Sequence, residues 1–127
     1  QCPKEYGTFQ DDVLFWTKPT YGSTDYFNNC STEMTIDRNF IGKQETFHGN
    51  AYAGMYAYGP KDYREYIAGE LKTKLKENKK YIISAMISLS EKSEYAIDEL
   101  GFLLTSKISK NIYGTIILAL LLSKCWN

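Results

Sequence analysis

A chain of 127 residues with 15 basic and 15 acidic side chains has room for a single domain around one core and carries a formal net charge of +0. Without a long-range field it has no means of collecting nucleic acid, and its one histidine leaves a His-dependent nucleophile or a His-rich metal cage short of partners. The locally basic stretch Lys72, Lys74, Lys76, Lys79, Lys80 is interrupted by Glu77 and reads as a solvated strand edge and turn.

In chain order, the start Gln1-Cys2-Pro3-Lys4 lacks the basic residues and apolar core of a signal peptide. The apolar residues 13–16 predict a short strand entering a turn at Pro19-Thr20-Tyr21-Gly22. Residues 16–30, WTKPTYGSTDYFNNC, interleave aromatics with Gly, Asn, Asp, Ser and Thr, as in a β domain whose loops are held by side-chain hydrogen bonds. Within it Trp16 and Phe27 are candidate core residues, and Asp25 and Asn28 are candidates for capping turns through backbone N–H groups. Cys2 and Cys30 flank this block. Pairing them would close a loop of about 29 residues, worth roughly 3 to 4 kcal/mol in the chain-entropy model; two free thiols in a reducing compartment are the alternative.

Residues 51–58 alternate small or apolar side chains with Tyr52, Tyr56 and Tyr58 until Gly59-Pro60 breaks the pattern. Arg64 and Glu65 follow in a strand-like run that sends them to opposite faces, which leaves Asp62 as a partner for one of them. Residues 71–75 and 81–90 alternate again across a turn at 77–80 and read as a hairpin, with 51–58 and 81–89 expected to be central strands. Residues 90–100 are the least regular, and 101–105 read as a strand. The apolar run 116–122 is too short for a membrane span, which needs about 20 residues, and predicts a buried strand or terminal helix. Cys125 has no obvious partner.

Catalysis finds little support. His48 has no nucleophile motif around it and reads as a loop residue. The carboxylates Asp11, Asp12, Asp25, Glu65, Asp98 and Glu99 could form a glycosidase pair only if two of them converge, which adjacent strand positions such as Asp98 and Glu99 do not. No D-x-D-x-D-G loop marks a calcium site, no CxxC marks a zinc site, and no cofactor is expected.

Cys2-Pro3, the Trp16, Pro19-Thr20, Gly22, Asp25-Tyr26-Phe27-Asn28, Cys30 block, Phe40, Gly42, Gln44, the run from Gly49 to Gly54 and Tyr63-Arg64-Glu65-Tyr66-Ile67 come in an order that resembles one module. It is similar to the non-catalytic N-terminal domain of Bacteroidetes cell-envelope proteins, often placed ahead of an OmpA-like peptidoglycan-binding domain. Leu71, Tyr81, residues 82–89, Ala96-Ile97-Asp98 and Leu100-Gly101 continue the resemblance to about Ser106. It implies an all-β, antiparallel jelly-roll β-sandwich, similar to galactose-binding-like and carbohydrate-binding modules, in residues 1–110, with an apolar tail at 111–127. Members begin with a strand of the type Asn-x-x-Pro-Asn-x-x-Phe-Glu before the first Cys and end in a Tyr-rich strand that closes the sandwich. Both are missing here, so an incomplete sandwich with an unpaired edge is expected, unless 116–122 fills the gap. The resemblance also implies a cell-envelope location, outer-membrane-associated, periplasmic or at the cell surface, and favours the Cys2–Cys30 disulfide.

The function expected is a non-catalytic binding or interaction module for carbohydrate or peptidoglycan, not an enzyme and not membrane-spanning. A spacer that orders a neighbouring domain of a parent protein and binds nothing is the other reading, and glycoside hydrolysis a third. Candidate ligand-binding residues are Tyr21, Tyr26, Tyr52 and Tyr56, whose rings offer stacking faces, with Asp25, Asn50 and Arg64 as polar partners, all expected on one surface.

Overall fold

In the computed structural model, which describes residues 1–105, 115–118 and 125–126, helix α1 (Phe9–Asp12) is followed by strands β1 (Trp16–Thr17), β2 (Asp25–Asn28) and β3 (Ala51–Gly54). A 3-10 turn (Pro60–Asp62) then leads to β4 (Ile67–Glu70), β5 (Ala96–Ile97), β6 (Leu103–Thr105), β7 (Thr115–Leu118) and β8 (Cys125–Trp126). The chain is β-rich with almost no helix, as its alternation predicts. The strands form three small antiparallel sheets: a four-stranded sheet in the order β1-β4-β7-β6 and two ribbons, β2–β3 and β5–β8. Among the described residues no helix is long and apolar enough to cross a membrane.

The core gathers where β2 alternates inward and outward: Asp25 and Phe27 are buried, while Tyr26 and Asn28 are half-buried. Phe27 is fully buried, its ring 5.0 Å from Tyr52 and 6.3 Å from Phe40, and Tyr6 meets Phe40 edge to face at 4.6 Å. Among the described residues Pro3, Phe9, Met34 and Ala68 are also buried. The Cys2–Cys30 disulfide is formed, with Cα atoms 5.8 Å apart, and fastens the N-terminal segment to the turn after β2. That turn is held as composition suggested, by Asn28, whose Oδ1 accepts the Cys30 N–H at 3.0 Å.

Four expected strands are corrected. Residues 13–16 do not form one: α1 ends at Val13, Phe15 adopts a left-handed φ of 65°, and the strand begins only at Trp16. Trp16 is not core. It lies 44% exposed over Gly69, its cross-strand partner, whose missing Cβ would fall 2.8 Å from the indole ring. Strand β3 stops at Gly54 and pairs with β2 alone, so 51–58 is not a central strand. Residues 71–75 and 81–89 form no hairpin; both are irregular and largely exposed. Alternation marks which side chains share a face, but a strand also needs a ladder partner, and none of the described residues forms a ladder with these.

The central strands are instead β4 and β7. Residues 115–118 lie between β4 and β6, with Ala68 opposite Ile117 on one side and Leu103 opposite Ile117 on the other. The remainder of the apolar run, 119–122, lies outside the described residues. The chain leaves β4 at Glu70 and is anchored again at Ser90, where Ser90 Oγ donates to Ile41 O, Lys43 N donates to Glu91 Oε2 at 2.9 Å and Lys92 Nζ donates to Phe40 O at 2.9 Å.

Removing the disulfide with a Cys2→Ser/Cys30→Ser pair should lower the free energy of unfolding by about 3 to 4 kcal/mol, because the 28-residue separation no longer restricts the unfolded chain. Urea unfolding of both proteins measures it, and a change below about 1 kcal/mol would show that the N-terminal segment is held by other contacts.

Candidate functional site

Strand alternation on either side of Gly59-Pro60 folds residues 56–65 back on themselves. Glu65 N donates to Tyr56 O at 2.9 Å, and Gly59 N donates to Tyr63 O at 2.8 Å, a bond that Pro60 cannot make. At the tip Lys61 and Asp62 are both left-handed, with φ of 59° and 62°, and Tyr63 N closes the turn on Pro60 O. This hairpin carries Tyr56, Tyr58 and Tyr63, each between 39% and 50% exposed.

A single carboxylate holds it in place. Glu65 is fully buried; its Oε1 accepts from Ser23 N at 2.8 Å, Ser23 Oγ at 2.7 Å and Tyr63 OH at 2.7 Å, and its Oε2 accepts from Tyr56 N at 2.8 Å. Four donors satisfy an acceptor-only group, which is what its burial requires. The loop before β2 approaches closely because Gly22 has no side chain: a Cβ there would lie 2.9 Å from Glu65 Cγ. Thr24 Oγ1 adds a bond to Tyr66 O at 3.3 Å. Tyr21, at the outer end of this loop, is fully exposed.

Arg64 takes the opposite face from Glu65, as expected, and pairs with Asp62 at 2.8 Å. Its guanidinium carbon lies 5.5 Å from the centre of the Tyr58 ring, within cation–π range. Its Nε is buried without a hydrogen-bond partner among the described residues.

Asp25, 5% exposed, accepts the Gly7 N–H at 2.7 Å. Burial, the largest cause, raises its pKa from 3.8 to about 6; the Gly7 bond opposes this, the Glu65 charge adds to it, and Lys18 opposes it. Lys18 Nζ is occupied by Gly7 O at 2.7 Å.

The seven expected ligand-binding residues therefore do not share one surface. Tyr21, Tyr56 and Arg64 belong to segments joined through Glu65. Asp25 is buried nearby and is spent on Gly7. Tyr26 lies opposite Ala53 on the outer face of the ribbon, its OH accepting from Asn28 Nδ2 at 2.8 Å. Tyr52 lies opposite Phe27 on the inner face, its OH accepting from Asn39 Nδ2 at 2.7 Å, so Tyr26 and Tyr52 point to opposite sides. Asn50 precedes β3 at the end away from the hairpin, about 13 Å of strand from Gly54. The sequence reading missed Tyr58, Tyr63 and Ser23 and the role of Glu65 as an anchor. Tyrosines at two-residue spacing before Gly59-Pro60, with Tyr63 following it, were the signal for a hairpin.

Glu65 and Asp25, the two buried carboxylates beside the hairpin, are engaged by protein donors. Among the described residues no group of three or more His, Cys, Asp or Glu could hold a metal ion. No family model, curated protein or solved structure matches the chain.

Replacing Glu65 with Ala should cost about 3 kcal/mol, since the part-buried Tyr56 N–H, Ser23 N–H and Ser23 hydroxyl lose their shared acceptor and the fully buried side chain leaves a void. Loss of the protected Tyr56 amide in hydrogen exchange would report the same event locally, and an unchanged unfolding midpoint would refute the anchoring role.

The sign for Asp25 follows from its raised pKa. The native state holds this proton more tightly than the unfolded chain, so the contribution to stability is full below about pH 4 and is lost as pH rises through about 6. The gap from 3.8 to about 6 corresponds to roughly 3 kcal/mol. Asp25→Asn keeps an acceptor for Gly7 and has no proton to lose. Its stability relative to the parent should therefore rise by up to that amount between pH 4 and pH 7.5, as read by urea unfolding at the two pH values.

Proposed function

We propose that this chain is a non-catalytic binding module that takes a carbohydrate or cell-wall polysaccharide on the tyrosine-bearing hairpin 56–65 and the adjoining Tyr21 loop. The observation that carries the reading is the buried Glu65 carboxylate, which fixes the backbone beneath Tyr56 and Tyr63 while their rings stay partly exposed. A sugar presents apolar C–H faces that stack on such rings, and Arg64, Asp62 and the tyrosine hydroxyls supply donors and acceptors for its hydroxyl groups. Prefixing the rings lowers the entropy cost of binding.

The resemblance to the N-terminal domain of Bacteroidetes OmpA-family envelope proteins supports the same assignment. In that reading the three small sheets are parts of an incomplete jelly-roll β-sandwich, the location is the cell envelope, and the partner is carbohydrate or peptidoglycan. The disulfide fits an oxidising compartment. The spacer reading draws on the other aromatics: Phe27, Phe40, Tyr6 and Tyr52 are engaged with one another and build the fold.

Stacking on an open surface gives dissociation constants of roughly micromolar to millimolar. A glycan array followed by titration calorimetry should find a polysaccharide or peptidoglycan fragment in this range. Tyr56→Ala and Tyr58→Ala should each weaken binding about fivefold or more, while Tyr52→Phe leaves it unchanged. If nothing binds, or if both alanine variants bind as the parent does, the spacer reading replaces this one.

A further inference from the structure

We propose, resting on the binding reading above, that the carbohydrate taken by the 56–65 hairpin is acidic, and that a carboxylate on one of its sugars displaces Asp62 from Arg64. The hairpin holds four charged side chains, Lys61, Asp62, Arg64 and Glu65. Glu65 is fully buried and spent on four protein donors, so it presents no charge at the surface. The accessible charge is two cations against one acid. Lys61 stands exposed at the left-handed tip, and among the described residues no ion pair or side-chain hydrogen bond engages it.

Arg64 already holds a carboxylate. Its Nη2 meets Asp62 Oδ1 at 2.8 Å while the guanidinium carbon lies 5.5 Å from the centre of the Tyr58 ring, so the fold accommodates an acid beside this ring. Asp62, 70% exposed, holds its place weakly, because an ion pair between exposed side chains contributes little. In the same pose Nε is buried without a hydrogen-bond partner among the described residues, and an unpaired buried N–H costs more than such a pair returns. Turning the guanidinium outward frees Nε. A sugar carboxylate can then accept two parallel N–H bonds from the fork in place of the single Nη2 contact. The sugar ring that bears it stacks on Tyr56 or Tyr58, both partly exposed on the same hairpin. A neutral sugar offers hydroxyl acceptors, which bond a guanidinium more weakly.

Titration calorimetry of the full chain with polygalacturonate, alginate and hyaluronan, and with the same polymers after their carboxylates are reduced to alcohols, separates charge from shape. At least one acidic polymer should bind about tenfold or more tighter than its reduced form, and the preference should shrink as salt rises from about 50 to about 500 mM. Arg64→Gln should remove the preference, and Arg64→Lys, which lacks the fork, should not restore it. Asp62→Asn, which removes the competing acid, should strengthen binding of the acidic form about threefold relative to the reduced one. Lys74→Gln/Lys76→Gln, in the exposed basic span outside the hairpin, should leave the preference unchanged. Binding that is equal for the two forms, or confined to neutral glycans, overturns this proposal and leaves the binding module standing. No binding across these polymers and the glycan array removes both. A preference that survives Arg64→Gln and is lost in Lys74→Gln/Lys76→Gln belongs to the diffuse charge of that span and also overturns the proposal.

Discussion

The buried carboxylate of Glu65 is the interaction on which the arrangement of the loop before β2 and the 56–65 hairpin depends. It has no solvent contact and accepts four hydrogen bonds, from the loop before β2, from the start of the hairpin and from the hairpin's returning arm. Desolvating a carboxylate is costly, and the cost is offset only while all of these donors stay in place. The three segments are therefore coupled. Displacing one exposes the acid to an apolar interior or leaves backbone N–H groups without partners, and this lends a hairpin with few apolar contacts a defined shape.

Around that anchor the aromatic residues divide into two populations. Phe27, Phe40, Tyr6 and Tyr52 meet one another and give the N-terminal part its core. Tyr56, Tyr58 and Tyr63 ride on a fixed backbone with rings partly in solvent, Arg64 lying across Tyr58 and bonded to Asp62. In the first group Phe27 gains from full burial, while Tyr6 and Phe40 remain half-exposed and meet edge to face. The second rests on a backbone fixed by the Glu65 hydrogen bonds, with its rings partly in solvent.

The C-terminal part follows a different logic. Its four-stranded sheet is completed by β7, which lies between β4 and β6 and supplies ladder bonds to both. The 71–89 span forms no ladder with any other described residue, and the chain is held again where Ser90, Glu91 and Lys92 grip the 39–43 turn. Gly42 permits that grip, since a Cβ there would collide with the Glu91 carboxylate.

The sequence by itself determined the local features. Alternation of period two marked the β character, the two cysteines flanking the aromatic block marked the disulfide, and Asn28 and Asp62 marked a turn bond and an ion pair that are formed; Asp25, expected to cap a turn, instead accepts from Gly7, 18 residues away. Each of the formed features rests on residues close in sequence or on a residue type with few alternatives. Tertiary structure decided the rest. Whether 81–89 has a neighbour, whether Trp16 is covered, and whether Tyr26 and Tyr52 share a face depend on which distant strands lie alongside. Glu65 could be recognised as an anchor only once Ser23, 42 residues away, was beside it. Periodicity says which side chains share a face of a strand. It does not say what that face meets, because ladder bonds and buried contacts join residues whose proximity is produced by the fold itself.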